Sequence, residues 1–574
     1  MLNAGDSPIG LRLPTQNLPF VSIDQIDADP TPTPLAPLEE LDSWDKLAKA
    51  AKKRREQSQK DSKYSYFESD PVGKVRTALC LEVRDGVLYV FLPPISLIEP
   101  FLDQICSLEL VAQETSTRIC IEGYPPPHDL RIDSFKITPD PGVIEVNVPP
   151  SKTWVELSQL TSHVYEQARL SRLTAEKFLI DGQRVGTGGG NHIVLGGETP
   201  ADSPFLRRPD LLRSLLTFWQ NHPSLSYLFS SLFIGPTSQA PRIDEARHDS
   251  LYELELAFSN MPPANETMPY WLIDRVFRNI LVDMTGNTHR TEFCIDKLFT
   301  PDSETGRLGL VEMRGFEMPP HPQMSLVQAL FIRACIAKFW QKPCVEKLVR
   351  WHNQLHDRFM LPYYVWSDFE DVVAQINRDG YPIQLDWFRA HFEFRFPIIG
   401  QINVQGIHIE FRVALEPWHV LGEESYQGTV SRAVDSSVQR LQVMVSGDMR
   451  PHHVLSCNRK EVPLQRCNEE GTYVAGVRYK AWRPPHGLHP TVPVHTPLVF
   501  DLVDSRCQQS LGSCTIHAAH PGGRNYDTLP VNENEAEGRR LARFQAMGQH
   551  VGEIFVEPKI SRPEFPCTLD LRFS

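Results

Sequence analysis

The sequence predicts an α+β protein: a core of antiparallel strands and helices over residues 71–395, followed by a β-rich, sandwich-like domain over 396–574. Two observations carry this. Up to about residue 397, β-branched runs alternate in mixed order with apolar runs of helical period. Beyond it the runs become short, take period two, and are separated by Gly, Pro and Asn.

Residues 1–70 read as an N-terminal segment and linker. Asp29-Pro30-Thr31-Pro32-Thr33-Pro34 favours polyproline conformations, and 46–60 is a charged, helix-prone stretch with few core positions. Order is expected from near Val75. Residues 76–94 read as two strands around an Asp85-Gly86 turn. A helix over 97–114, strands over 117–122 and 144–148, and an amphipathic helix over 154–173 follow. A glycine-rich turn leads into a strand at 192–195. Helices are expected over 211–232, 251–258, 268–284 and 326–342. The C-terminal strands are expected over 402–413, 440–445, 473–479 and 498–502.

With 41% hydrophobic and 22% charged residues among 574, the chain has enough apolar material for a large core. Its net charge of −13 disfavours a nucleic-acid partner, which calls for a basic face. Nucleotides stay open, because Mg²⁺ neutralises carboxylate and phosphate together. Eleven scattered cysteines, with no C-x-x-C pair, indicate reduced thiols and a cytoplasmic setting. No apolar stretch approaches the roughly 18 residues of a membrane span, so no membrane is expected.

Four constellations carry chemistry. In Val143-Ile144-Glu145-Val146-Asn147, a carboxylate interrupts an apolar strand after the turn Pro139-Asp140-Pro141-Gly142. Such a group calls for a cation, or else faces outward on an edge strand. In Gly186-Thr187-Gly188-Gly189-Gly190-Asn191-His192, glycines permit close backbone approach to phosphate, and a histidine opens the next strand as a metal ligand. The alternative is a plain turn with a structural histidine. In Val311-Glu312-Met313-Arg314, carboxylate and guanidinium share a strand face, either to hold metal beside phosphate or as an ordinary ion pair. Arg242 and Arg290 follow loops suited to anions. No G-x-S-x-G elbow appears, which leaves serine-hydrolase chemistry unsupported.

Taken in order, these segments resemble glutamine-synthetase-like ligases. Gly188-Gly189-Gly190-Asn191-His192 is similar to their glycine-rich, histidine-bearing strand, and Asp140-Pro141-Gly142 to Glu145 is similar to their metal strand. Pro241-Arg242-Ile243, Asn287-Thr288-His289-Arg290 and Val311-Glu312-Met313-Arg314 resemble their arginine segments. A closer resemblance is to a bacterial amidoligase family often associated with transglutaminase-like domains. It extends through Gly5-Asp6-Ser7-Pro8-Ile9-Gly10-Leu11-Arg12-Leu13-Pro14, 122–129, 207–213, 222–247 and 521–527.

The resemblance implies a curved antiparallel sheet and an ATP-dependent carboxylate–amine ligase using Mg²⁺ or Mn²⁺. It implies Glu145, His192, Glu312 and Glu82 as metal ligands, with Glu122 as a further one. Gly188, Gly189, Gly190 and Asn191 would lie at the nucleotide, and Arg242, Arg290 and Arg314 at phosphoryl group and carboxylate. Substrates would be an acid and an amine, of peptide or protein origin. A partner polypeptide, transglutaminase-like or carrying the family's upstream region, is expected. The alternatives are a phosphotransferase on the same fold and a non-catalytic binding remnant.

Overall fold

The computed structural model describes residues 39–60, 79–127, 129, 131–132, 134–140, 142–188, 190–247, 249–262, 266, 268–303, 306–426, 429–484, 487–522, 526–548, 552–559 and 562–573. The Gly5-Asp6-Ser7-Pro8-Ile9-Gly10 segment, the proline run at 29–34 and Gly189 lie outside them. The chain forms two compact units, Met1–Lys136 and Ile137–Ser574.

In the first unit, Asp85 and Gly86 take φ of 49° and 76°, the paired left-handed conformation of a two-residue hairpin turn. They join β1 (Cys80–Arg84) to β2 (Val87–Leu92). Helix α1 (Trp44–Lys60), formed by the charged stretch, pairs with α2 (Ile98–Thr115) through Arg54–Asp103 at 2.5 Å and Arg55–Glu114. α2 crosses from β2 to the parallel strand β3 (Ile119–Gly123), giving the order β1-β2-β3. Val90, Leu92, Ile98 and Cys106 are buried here.

The second unit starts with the hairpin β4 (Lys136–Asp140) and β5 (Val143–Asn147). Helix α3 (Trp154–Leu170) is opened by a reciprocal Thr153–Glu156 cap. A second hairpin, β6 (Glu176–Phe178) and β7 (Arg184–Gly186), follows. Next come β8 (Ile193–Leu195), α4 (Pro204–Arg207), α5 (Pro209–Asn221), α6 (Ser224–Tyr227), α7 (Ile243–Ala246), α8 (Ser250–Ser259) and α9 (Tyr270–Phe277). Pro223 explains why the expected helix over 211–232 is split. It disfavours helical backbone at His222, which takes φ −123° and ψ 87°. Then β9 (Phe293–Cys294), β10 (Val311–Met313) and helices α10 (Pro322–Gln341), α11 (Pro362–Arg378) and α12 (Arg389–Arg395) complete the helical part.

β8, β10 and β9 form a three-stranded antiparallel sheet with β10 central. Alternation sends Val311, Met313 and Phe293 into a core shared with Trp219, Phe331, Phe369 and Phe388. It turns Glu312 and its strand partners Val194 and Cys294 to the opposite face. The expected single sheet carrying Glu145 as well is not what forms: among the described residues β5 pairs with β4 alone.

From Ile398 onward strands dominate. The run expected as one strand over 402–413 is a hairpin, β11 (Ile398–Val404) and β12 (Ile407–Val413), because Gln405 and Gly406 take φ of 50° and 85°. β13 (His419–Tyr426) and β14 (Thr429–Asp435) form a separate hairpin. β15 (Val438–Ser446), β16 (His453–Cys457), β17 (Lys460–Glu461), β18 (Gln465–Arg466), β19 (Thr472–Lys480), β20 (Leu498–Asp504), β21 (Gln509–Ile516), α13 (Glu533–Ala542), β22 (Phe544–Gln545) and β23 (Thr568–Asp570) follow. One sheet runs β11-β12-β15-β19-β18, with β23 parallel on β19, and the other runs β17-β16-β20-β21-β22. They share a core in which Phe411 meets Phe500 at 4.7 Å between ring centroids. Buried Asp357 ties this sandwich to the helical part by accepting from Cys567 N at 2.9 Å and Thr568 Oγ1 at 2.5 Å. The structure is α+β. Among the described residues no helix is long and apolar enough to cross a membrane, and all eleven cysteines are free thiols.

Candidate functional site

The central strand β10 positions Glu312 with both carboxylate oxygens engaged. His192 Nδ1 lies 3.0 Å and Arg314 Nη1 2.7 Å from Oε1, and Lys297 Nζ lies 3.2 Å from Oε2. Three segments far apart in sequence thus converge on one carboxylate that is 4% exposed. Burial pushes this carboxyl up. The His192 hydrogen bond and the charges of Arg314 and Lys297 outweigh that and bring it down to about 2. Arg314 Nε is buried with no hydrogen-bond partner among the described residues, so this guanidinium has a donor left for another acceptor.

The glycine-rich segment is shaped by packing. A Cβ on Gly190 would lie 2.4 Å from His192 Nε2, so glycine here lets the imidazole fold back over the chain. A Cβ on Gly186 would lie 2.6 Å from the Glu317 carboxylate, which accepts from Gly186 N at 3.2 Å. Gly188 has φ 103° and open space around it except for Lys177 Nζ, which donates to Thr187 O at 2.9 Å. Asn191 is an anchor: its amide donates to Ser325 Oγ at 3.1 Å and Gln328 Oε1 at 2.8 Å on α10.

Arg242, expected at a phosphoryl group, is 1% exposed and all five of its N–H donors have protein acceptors. Nε and Nη2 meet Asp244 at 2.9 and 3.1 Å; Nη1 meets Trp219 O at 3.1 Å and Ser226 Oγ at 2.9 Å; Nη2 also meets Gln220 O at 3.0 Å. It is a buried staple between α5, α6 and α7. Arg290 is also paired, with Glu423 of β13 at 2.9 Å and with buried Asp283 at 3.7 Å.

Glu145 is exposed on β5, and no third His, Cys, Asp or Glu donor among the described residues lies within 4.8 Å of both His192 and Glu312. Glu82 belongs to the first unit, where Arg84 meets it at 3.2 Å and Glu122 at 2.5 Å. Of the four expected metal ligands, the structure brings together His192 and Glu312. An imidazole nitrogen and a carboxylate oxygen side by side suit a divalent cation that takes its remaining ligands from phosphate oxygens and water.

Lys297 and Glu292 were not legible in the sequence. Only the β9–β10 pairing carries Lys297 to Glu312. Glu292 is fully enclosed next to Arg242, and burial raises its carboxyl to about 7 against the opposing Arg242 charge and Ser226 hydrogen bond. A raised folded-state pKa means that native protein binds the extra proton, so stability falls as pH rises from about 4.3 to about 7 and then levels. Glu292→Gln should therefore be more stable than the parent at pH 8, by on the order of 2 kcal/mol, and indistinguishable at pH 4.5. Urea unfolding at both pH values measures this.

A protein-family model matches residues 1–572, and its description reads "Putative amidoligase enzyme (DUF2126)". Searches of curated proteins and of solved structures returned no match.

Proposed function

As the chain belongs to this amidoligase family, we propose that it joins a carboxylate to an amine at the Glu312 face, consuming ATP. The observation that carries the reading is the convergence of His192, Lys297 and Arg314 on the ionised, nearly buried Glu312. That is a fixed anion flanked by two cations and an imidazole, its own carboxylate nearly enclosed.

In the proposed reaction a substrate carboxylate oxygen attacks the γ-phosphorus of ATP, and the bond to the β–γ bridging oxygen breaks to release ADP. The amine nitrogen then attacks the acyl carbon, the C–O bond to phosphate breaks, and the amine gives up a proton. A Mg²⁺ or Mn²⁺ ion held by Glu312 and His192 would neutralise phosphate charge. Arg314, whose guanidinium already holds Glu312, orients the phosphoryl oxygens or the substrate carboxylate. Lys297 supplies a mobile point charge to the same oxygens. Arg290 holds the neighbouring loop against the β13–β14 hairpin. Glutamine-synthetase-like architecture, an acid or amine carried on a peptide or protein, and a transglutaminase-like partner polypeptide belong to the same proposal.

The test is an incubation of the full chain with Mg²⁺-ATP, the twenty amino acids as amines and a set of short peptides as acids. ADP formed one-for-one with a new amide, seen by mass spectrometry, supports the reading. ADP with a phosphorylated product and no amide makes the chain a phosphotransferase. Absence of Mg²⁺-ATP binding by calorimetry makes it non-catalytic.

A further inference from the structure

A second group of donors lies beside Glu312 and has no part in the ligase reading. One nitrogen of His289, the thiol of Cys294 and a carboxylate oxygen of Asp296 all lie within 4.8 Å of one another. Cys294 is the strand partner of Glu312 and shares its face of the sheet. Asp296 is two residues further along, and His289 lies in the loop that precedes β9. Cys294 is buried, 2% exposed.

We propose that His289, Cys294 and Asp296 form a transition-metal centre, selective for Zn²⁺ over Mg²⁺, with a fourth position open to an exogenous ligand. The donor set argues for the metal: thiolate and imidazole favour Zn²⁺, whereas Mg²⁺ takes oxygen ligands almost alone. Tetrahedral zinc places such donor atoms about 3.4–3.7 Å apart, so closing the site needs side-chain movements of about 1 Å. His289 can supply them, because its side chain is 63% exposed.

The outer shell is already in place. Thr288 Oγ1 donates to Asp296 Oδ2 at 2.6 Å, and His289 Nε2 lies 3.3 Å from the same oxygen. The Cys294 sulfur accepts from the backbone of Asp296, an interaction that favours thiolate. The loop is fixed from behind: Asp283 Oδ1 accepts from Thr285 N at 2.8 Å and Asn287 N at 3.0 Å, and Asn287 Oδ1 accepts from His289 N at 2.9 Å. The inference is independent of the ligase reading, which uses Glu312 and His192.

The test uses the metal-stripped full chain and Co²⁺ as a spectroscopic stand-in for Zn²⁺. The expected result is a near-ultraviolet thiolate-to-cobalt band saturating at one equivalent, displaced by Zn²⁺ and untouched by millimolar Mg²⁺. Cys294→Ser should remove the band. His289→Ala, an exposed change that leaves folding intact, should weaken Co²⁺ binding on the order of 100-fold, at the upper end of the losses caused by outer-shell changes. Glu312→Gln should retain the band, which separates this site from the ligase centre. No band in the parent chain, or a band that survives Cys294→Ser, overturns the proposal. Should Cys294→Ser fail to fold, unchanged Co²⁺ affinity in His289→Ala overturns it as well.

Discussion

Glu312→Gln should abolish amide formation, lowering turnover on the order of 10³-fold or more. The substitution keeps the shape of the side chain and removes its charge. Arg314, His192 and Lys297 then face a neutral amide at a site 4% exposed. They lose the anion that orients them, and a divalent cation loses its carboxylate ligand. Stability should change too. The folded-state carboxyl is held at about 2, below its unfolded value near 4.3, so its contribution is present above about pH 4.3 and is lost as pH falls toward 2. At pH 7 the variant should be destabilised by on the order of 2 kcal/mol, and near pH 2 by almost nothing. ADP formation and urea unfolding measure the two effects separately. A variant with parental turnover would remove Glu312 from the chemistry.

The second large effect is expected at Arg242. Arg242→Met should cost about 3–5 kcal/mol of stability, because it strands Asp244 and takes donors from the Trp219 carbonyl and Ser226 Oγ. Activity should fall through loss of folded protein, with the KM for ATP of the surviving fraction little changed. The resemblance to ligase arginine segments implies the opposite: a stable variant with weakened nucleotide binding. Urea midpoints and ATP titration of the soluble fraction tell the two apart.

The contrast shows what the sequence could reveal. Glu312 and Arg314 were legible because a charged pair two residues apart in an apolar strand shares one face. His192 was legible from the glycines before it. Their meeting place was not, since the β8–β10 register is a tertiary choice between segments more than a hundred residues apart. Arg242 misled for a related reason. A loop arginine serves an anion or a buried carboxylate equally well, and the deciding carboxylate, Asp244, is two residues away on a helix too short to be seen in the sequence pattern. Glu145 shows the limit of strand alternation: it fixes a face, while pairing fixes the sheet, and β5 pairs with β4. The hairpin at Gln405-Gly406 was passed over although the apolar phase slips there by one residue, from Ile402 and Val404 to Ile407, Ile409 and Phe411. The α+β class and the change to strands after Ile398 came through because both rest on period and composition.

The most direct test of the central claim is a crystal structure of the full chain with Mg²⁺ and a non-hydrolysable ATP analogue. The account predicts a triphosphate against the β8–β10–β9 face, with the cation bound by Glu312 and His192 and with Lys297 and Arg314 turned to phosphate oxygens. A nucleotide bound elsewhere, with the contacts of Glu312 to His192, Lys297 and Arg314 unchanged, would contradict it.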